Sequence, residues 1–452
     1  MTTRVLIPSG ALGLNYDPVA LERGLAMKPD IIAIDGGSTD SGPAYLGRGV
    51  SKYSRASTKI EWQGLMEARA KAGVPLVIGT SGTCGTDSAV EWMLDITREI
   101  AANLGQSIKI AVLRCSQNPQ DIGEFYANGL ITPLPAAPDI SRQSIEACNN
   151  IVALAGTEQI QAAIETGADI IIAGRTTDTA IIAALPIMQG ESAGAAWHGA
   201  KIGECGALCA TNPQSGVVII EFDGDSFTVI PLADGAHASP HTVSAHMLYE
   251  NSDPFILYEP GGYLDVTNAK YTAIDETRVR VTGSNWVPSD RYTVKLEGAR
   301  GAGFQCVLIT LLRDAHYVKN ASTWANDIIE KCRDKVGARL GLDPNDYEIE
   351  LRLMGKNASF GALETHTSKP HEIGVLAIVT AQSNEVAMEI GQFLNPYLLH
   401  HPLTRAEEQP TFAFPFSPAE ISRGQTYEFC LNHVLELSDP MSAFSIQEVN
   451  IA

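Results

Sequence analysis

Three short polar segments carry the side chains best suited to chemistry. They are Asp35-Gly-Gly-Ser-Thr-Asp40, Gly79-Thr-Ser-Gly-Thr-Cys-Gly85 and Gly174-Arg-Thr-Thr-Asp178. Each directly follows an apolar, β-branched run, so each reads as the loop leaving the carboxyl end of a strand. In open α/β sheets ligands bind beyond those ends. If the three strands share one sheet in parallel, the loops share one rim and bring hydroxyls, backbone N–H groups, carboxylates and one guanidinium together. Asp35, Asp40 and Asp178 are candidate general bases, because carboxylates brought together raise one another's pKa. Capping and turn formation are the alternative role for the same residues.

The second loop opens a long helix, and a helix N-terminus with glycines before it favours an anion such as a carboxylate or phosphate. Ser81, Gly82, Thr83 and Cys84 are its candidate binding residues, with Gly37, Ser38, Thr39, Thr176 and Thr177 from the other two loops. The segment lacks the Gly-Lys-Ser/Thr of a P-loop and the spacing of a dinucleotide fingerprint. A plain Gly-rich turn, capped by Asp87 or Ser88, would also account for it. Arg175 has the fork geometry for bidentate carboxylate binding, or for a structural pair with Asp178 or Asp35.

Outside the loops the signals are thinner. His198 and Cys205 are seven residues apart, about two helical turns, so a Cys–His pair is conceivable and inert packing is the alternative. His241 and His246, at i and i+5, are poorly spaced for one metal on a regular helix, and no HExxH or CxxC supports zinc. No metal ligand and no cofactor is assigned, although carboxylates alone could hold a divalent ion. Glu259-Pro-Gly-Gly262 is a turn between Tyr258 and Tyr263. Lys295 and Arg300 place two cations near a strand end, for an acidic ligand or for solvent. His400-His401-Pro402 reads as a helix stop.

The elements that must position these residues alternate for about the first 205 positions. Residues 4–7, 30–35, 74–78, 108–113 and 169–173 read as strands, and residues 19–27, 63–71, 88–103 and 158–166 as helices. Continuous aliphatic runs between helices predict a parallel sheet covered on both faces, hence a doubly wound fold. Residues 30–40 and 169–178 resemble each other with one gap, as a diverged repeat or as two ordinary βα units. A hairpin follows at 217–231, turning at Asp223-Gly-Asp225. Further β-like runs follow at 278–281 and 292–296. The last third reads strand 304–312, helix 322–340, strands 347–353 and 373–380, helix 384–398 and strand 427–437. That is the βαββαβ order of ferredoxin-like folds. The expected domains are 1–210, an α/β domain with its loops at strand ends, and 211–452, an α+β domain with the ferredoxin-like part within 300–452.

Composition limits the partners. The 452 residues carry 32 Lys and Arg against 52 Asp and Glu, a net charge of −20. Such a surface repels nucleic acid and anionic membranes. No apolar run reaches the ~18 residues of a spanning helix. The opening Met-Thr-Thr-Arg-Val-Leu-Ile-Pro reads as a first strand and not a secretory signal. Eight scattered cysteines without a CxxC pair fit a reducing cytoplasm.

Longer motifs then carry a family resemblance. Residues 35–47, the Ala173-Gly-Arg-Thr-Thr-Asp178 segment, residues 196–207 and residues 248–254 resemble the acyclic terpene utilisation AtuA family. So do Tyr258-Glu-Pro-Gly-Gly262, Tyr292-Thr-Val-Lys-Leu-Glu-Gly298, Phe412-Ala-Phe-Pro-Phe-Ser-Pro418 and Leu431-Asn-His-Val434. The resemblance runs from about residue 15 to the end. Members commonly have Cys where this chain has Thr177, which removes a nucleophile from that position. The resemblance implies a cytoplasmic catabolic role on branched carboxylic acids or their CoA thioesters. It makes a hydro-lyase or hydratase the leading expectation, with a double-bond isomerase, an acyl-CoA hydrolase or a non-catalytic subunit as alternatives. In that expectation Arg175 and residues 79–85 hold the anionic group, Asp35 or Asp178 is the base, and His198 is the acid. The expected partner is a small-molecule acid or CoA thioester, and a homo-oligomer is expected because an open ferredoxin-like sheet needs cover.

Overall fold

The computed structural model describes residues 2–367 and 369–452. Met1 and Ser368, counted above within the first and second expected domains, lie outside them. The chain divides into two compact units, Met1–Arg300 with Glu428–Ala452, and Gly301–Tyr427. The boundary expected after residue 210 falls inside the first unit, for a reason visible in the strand pairing described next.

The first unit begins with β1 (Thr3–Ile7), α1 (Pro18–Ala26), β2 (Ile31–Asp35), α2 (Arg55–Ala72), β3 (Leu76–Gly79), α3 (Asp87–Leu104) and β4 (Ile108–Arg114). Then come β5 (Asn150–Ala153), α4 (Thr157–Glu165), β6 (Ile170–Ala173), α5 (Ala180–Met188) and α6 (Ala193–Gly203). The hairpin is β7 (Val218–Asp223) and β8 (Ser226–Pro231), followed by α7 (Pro240–Ala245) and β9 (Ile256–Glu259). Strands β10 (Gly262–Asp265), β11 (Lys270–Ala273), β12 (Val279–Thr282), β13 (Asn285–Pro288) and β14 (Tyr292–Leu312) complete this stretch.

Strands β1, β2, β3, β6 and β4 lie side by side in that order, all parallel. β7 pairs antiparallel with β1 and continues the same sheet through β8, β12 and β11. This pairing ties residues 218–282 to the N-terminal α/β layers and moves the boundary. At the other edge β18 (Ser445–Ile451) pairs antiparallel with β4.

Alternation along the parallel strands makes the layers. Ile32, Ile34, Leu76, Ile78, Ile170 and Ile172 pack with Leu21, Trp62, Met66, Val90 and Met93 of α1–α3. Their neighbours Ile31, Ala33, Val77, Ile171 and Ala173 pack with Ile160, Ile181 and Trp197 of α4–α6. The period of two sends successive side chains to opposite faces. Each such fully buried isoleucine contributes about 1.5–3 kcal/mol. The connection leaving β3 runs to the α3 face and the one leaving β6 to the α5 face. The loops therefore diverge between β3 and β6, which opens a crevice at their carboxyl ends.

The two similar segments play matching parts. Asp30 accepts from the Arg4 backbone N–H at 2.7 Å, and Asp169 from that of Lys109 at 2.9 Å. Each aspartate precedes its strand and ties it to a parallel neighbour.

In the second unit, α8 (Ala321–Leu340), β15 (Tyr347–Met354), β16 (Ile373–Ala381) and α9 (Asn384–His400) lie between β14 and β17 (Ile421–Leu437). The strand order β15-β16-β14-β17 is that of the expected ferredoxin-like part. Trp324, Ile328, Ile390 and Leu394 of the helices cover Cys306, Leu308, Val375 and Val379 on one face of this sheet.

Candidate functional site

The carboxyl ends of β1, β2 and β6 meet at a cavity of about 270 Å³. Asp35, Gly37, Ser38, Asp40, Thr83, Asp178 and Cys205 line it, with Lys52, Tyr53 and Glu250. Asp35 ends β2 in register with Gly79 of β3. Gly36 donates to the Gly79 carbonyl at 2.8 Å. A Cβ on Gly36 would lie 2.3 Å from the Thr80 carbonyl oxygen, so this close approach of the two loops requires glycine. Asp35 Oδ2 accepts from the Gly37 N–H at 2.8 Å, while its Oδ1 is buried without a hydrogen-bond partner. Burial, then the charge of Asp178, pushes the Asp35 carboxyl well above its ordinary range, against Arg175 and the Gly37 and Gly36 N–H groups. Burial likewise raises Asp178, with Arg175 and Lys201 opposing. Both carboxyls are therefore shifted toward the protonated form relative to an exposed aspartate, a shift that suits acid–base exchange.

The loop after β3 is built differently from an anion cradle. Thr80 and Thr83 hold left-handed backbone, φ 42° and 70°, in a turn centred on Gly82. Thr83 reaches the cavity; Ser81, Gly82 and Cys84 are buried behind it. The N-cap of α3 is Thr86, which accepts from the Ala89 N–H at 3.4 Å. Gly85 is forced by proximity: a Cβ there would sit 2.3 Å from the Arg175 backbone nitrogen.

Arg175 is committed within the protein. Its Nε and Nη2 donate to Glu297 at 3.1 and 3.3 Å, and Nη1 donates to Thr80 Oγ1 at 3.2 Å. Lys295 adds a 3.1 Å pair to the same carboxylate, and Thr39 Oγ1 donates to it at 3.3 Å. Burial alone would push Glu297 up, but Arg175 and Lys295 hold it down to about 2. Glu297 arrives on β14, where it pairs with Val152 of β5. The Ala155 backbone just beyond β5 bonds Arg175 and Thr177 at 2.9 and 3.0 Å. Neither the pairing nor Glu297 itself was singled out in the sequence, where Lys295-Leu-Glu297 read as strand-end charge.

His198 stands apart from the rim. It is 0% exposed on α6, its Nδ1 2.7 Å from Ser284 Oγ and its Nε2 3.2 Å from Tyr271 Oη. Its ring meets Phe227 edge-on, and burial lowers its pKa to about 3. This is a satisfied core histidine. It does not line the cavity, so the acid role expected of it has no geometric support. The supposed His198–Cys205 face fails because α6 ends at Gly203, and Cys205 turns away to the cavity wall. Thr176 is buried, and Thr177 lines a second cavity of about 580 Å³ with Tyr258, Tyr263, Glu259 and Lys295. Glu259 accepts from Thr179 Oγ1 at 2.5 Å, and burial raises its pKa to about 7.

Beside the first cavity sits a second polar group. Lys201 pairs with Glu204 and donates to the Tyr249 carbonyl at 2.7 Å. Burial pushes Glu204 up to about 8 and His246 down to about 4. Burial also raises the Cys205 thiol, which makes it a poor nucleophile.

Fold and cavity together define an α/β protein with a small acidic pocket at a topological switch point. Residues 56–417 match the family described as acyclic terpene utilisation family protein AtuA, and the chain belongs to that family. Its name carries a catabolic role, the use of acyclic terpenes. No curated protein and no solved structure matches the chain. Among the described residues no helix is long and apolar enough to cross a membrane.

Proposed function

We propose that the protein is a hydro-lyase of acyclic terpene catabolism, adding or removing water on a branched carboxylic acid or its CoA thioester. The observation that carries this reading is Asp35. Its Oδ1 is buried and unpartnered, in a carboxyl that lines a cavity together with Asp178. One carboxyl of the pair takes the proton next to the substrate carbonyl, and the other donates a proton to the departing hydroxyl. Lys52, at the exposed mouth, is the cation for an anionic group, because Arg175 is already neutralised by Glu297. A cavity of about 270 Å³ takes a short acyl segment and leaves a CoA carrier outside. The raised Cys205 thiol weighs against a thiol-dependent hydrolase.

The test is incubation with branched unsaturated and hydroxylated acids, free and as thioesters, in deuterated water. Mass spectrometry of the products supports the reading if water is gained or lost with deuterium at one carbon. Asp35→Asn and Asp178→Asn should each lower turnover about 10²–10⁴-fold. Full turnover in both variants would refute the acid–base roles. Deuterium exchange without water gain or loss would move the assignment to an isomerase.

A further inference from the structure

The strongest unassigned cluster lies beside the cavity, where Glu204, Cys205 and His246 converge. One donor atom of each lies within 4.8 Å of the others. Glu204 and Cys205 follow the end of α6, and His246 follows α7, so the fold and not local spacing creates the set. His246 is 5% exposed, and its Nε2 is buried with no hydrogen-bond partner. A buried imidazole nitrogen without a partner is destabilising unless something occupies its lone pair or proton. Tyr249 stacks on its ring at 5.3 Å and fixes the ring plane.

We propose that Glu204, Cys205 and His246 bind one divalent transition-metal ion of the zinc type at the wall of the cavity. The proposal stands independently of the hydro-lyase reading. A thiolate, an imidazole and a carboxylate form a mixed donor set that suits zinc and excludes the all-oxygen preference of magnesium or calcium. Tetrahedral zinc holds its ligands about 3.3–3.8 Å apart, so side-chain shifts of about 1 Å close the observed triangle. Three protein ligands leave a fourth position for water or a substrate oxygen. Cys205 lines the cavity, which puts the ion on its border.

Lys201 is not a competitor for the whole carboxylate: it holds Glu204 Oε1 and the Tyr249 carbonyl, which orients Glu204 as an outer hydrogen bond orients a metal ligand.

The test uses untagged protein, stripped with a chelator and reloaded with Zn²⁺ or Co²⁺. Elemental analysis should find one ion per chain after removal of free metal. Co²⁺ should give a thiolate charge-transfer band in the near ultraviolet. Cys205→Ser should abolish that band, and Cys205→Ser and His246→Gln should each weaken Zn²⁺ binding at least 10-fold in competition with a chromogenic chelator. Cys332→Ser, in the second unit, should change nothing. Wild-type protein that holds no ion against the chelator would overturn the proposal, whatever the variants do. So would a band that survives Cys205→Ser or disappears in Cys332→Ser. A catalytic failure of Asp35→Asn with metal content intact separates this proposal from the previous one.

Discussion

Glu297→Gln is the most informative single substitution away from the cavity. The carboxylate is 8% exposed, like Arg175, and it receives four donors: two from Arg175 and one each from Lys295 and Thr39. Glutamine keeps the volume and removes the charge. It leaves the Arg175 guanidinium buried without a counter-ion and turns an amide N–H₂ toward existing donors. Breaking one side of a buried pair costs about 3–5 kcal/mol. Linkage gives the same size independently. The folded carboxyl is held to about 2 against an ordinary 4.5, and ~2.5 pH units at 1.36 kcal/mol each is about 3 kcal/mol.

The sign follows from the depression. A lowered carboxyl contributes its stability above pH 4.5 and loses it as the pH falls toward 2. Wild-type and variant should therefore differ by about 3–5 kcal/mol at pH 7, and the gap should narrow by about 2 kcal/mol at pH 3. Because the chain has two units, a single unfolding midpoint averages over both. Urea titration read by hydrogen exchange of the β5 and β6 amides reports the first unit by itself. A cost below about 1 kcal/mol, or a gap that does not change with pH, would refute the view that this pair is desolvated and locked.

Other outcomes follow from the same charges. Glu259 is raised from 4.5 to about 7, so its contribution is present below pH 4.5 and is lost as the pH rises through 7. Glu259→Gln should then match wild type at pH 4 and be more stable by up to about 3 kcal/mol at pH 8, measured by thermal melts. An unchanged difference between the two pH values would contradict it. His198 is lowered from 6.5 to about 3, so its contribution is present above pH 6.5 and is lost as the pH falls toward 3. His198→Gln should relieve about 3 kcal/mol of acid destabilisation between pH 6.5 and 4, and leave the pH profile of kcat unmoved. A profile that loses one limb in this variant would restore His198 to the reaction.

The strand and helix runs were legible because apolar patterning sets them locally. The unbroken burial of Ile31 through Asp35 and the βαββαβ order of the last third both carry that signature. The domain boundary was not, because the pairing of Ile220 with Val5 depends on contacts more than 200 residues apart. The same limit explains Glu297, whose partner in charge is 122 residues away. His198 misled because helical spacing assumes a helix that continues, and α6 stops at Gly203 before Cys205.

The rim residues show where sequence reasoning and geometry part. Three loops do converge, but several of their polar side chains bind one another. Thr39 comes from the first loop, Thr80 from the second and Arg175 from the third, and Glu297 gathers them directly or through Arg175. A carboxylate with four donors is a clamp that sets the spacing of the strand ends. What remains free for a ligand is the part the clamp does not use: Asp35 Oδ1, Asp178, Thr83, Lys52 and the Cys205 wall. Residue types pointed to an anion held by arginine, with carboxylates beside it. The geometry assigns the arginine to positioning and leaves the carboxylates facing the cavity. On the proposed reading, loss of the clamp should therefore act on the Asp35 and Asp178 carboxyls through their placement. Glu297→Gln should lower kcat more than it raises KM, whereas loss of Lys52 should act mainly on KM for charged substrates.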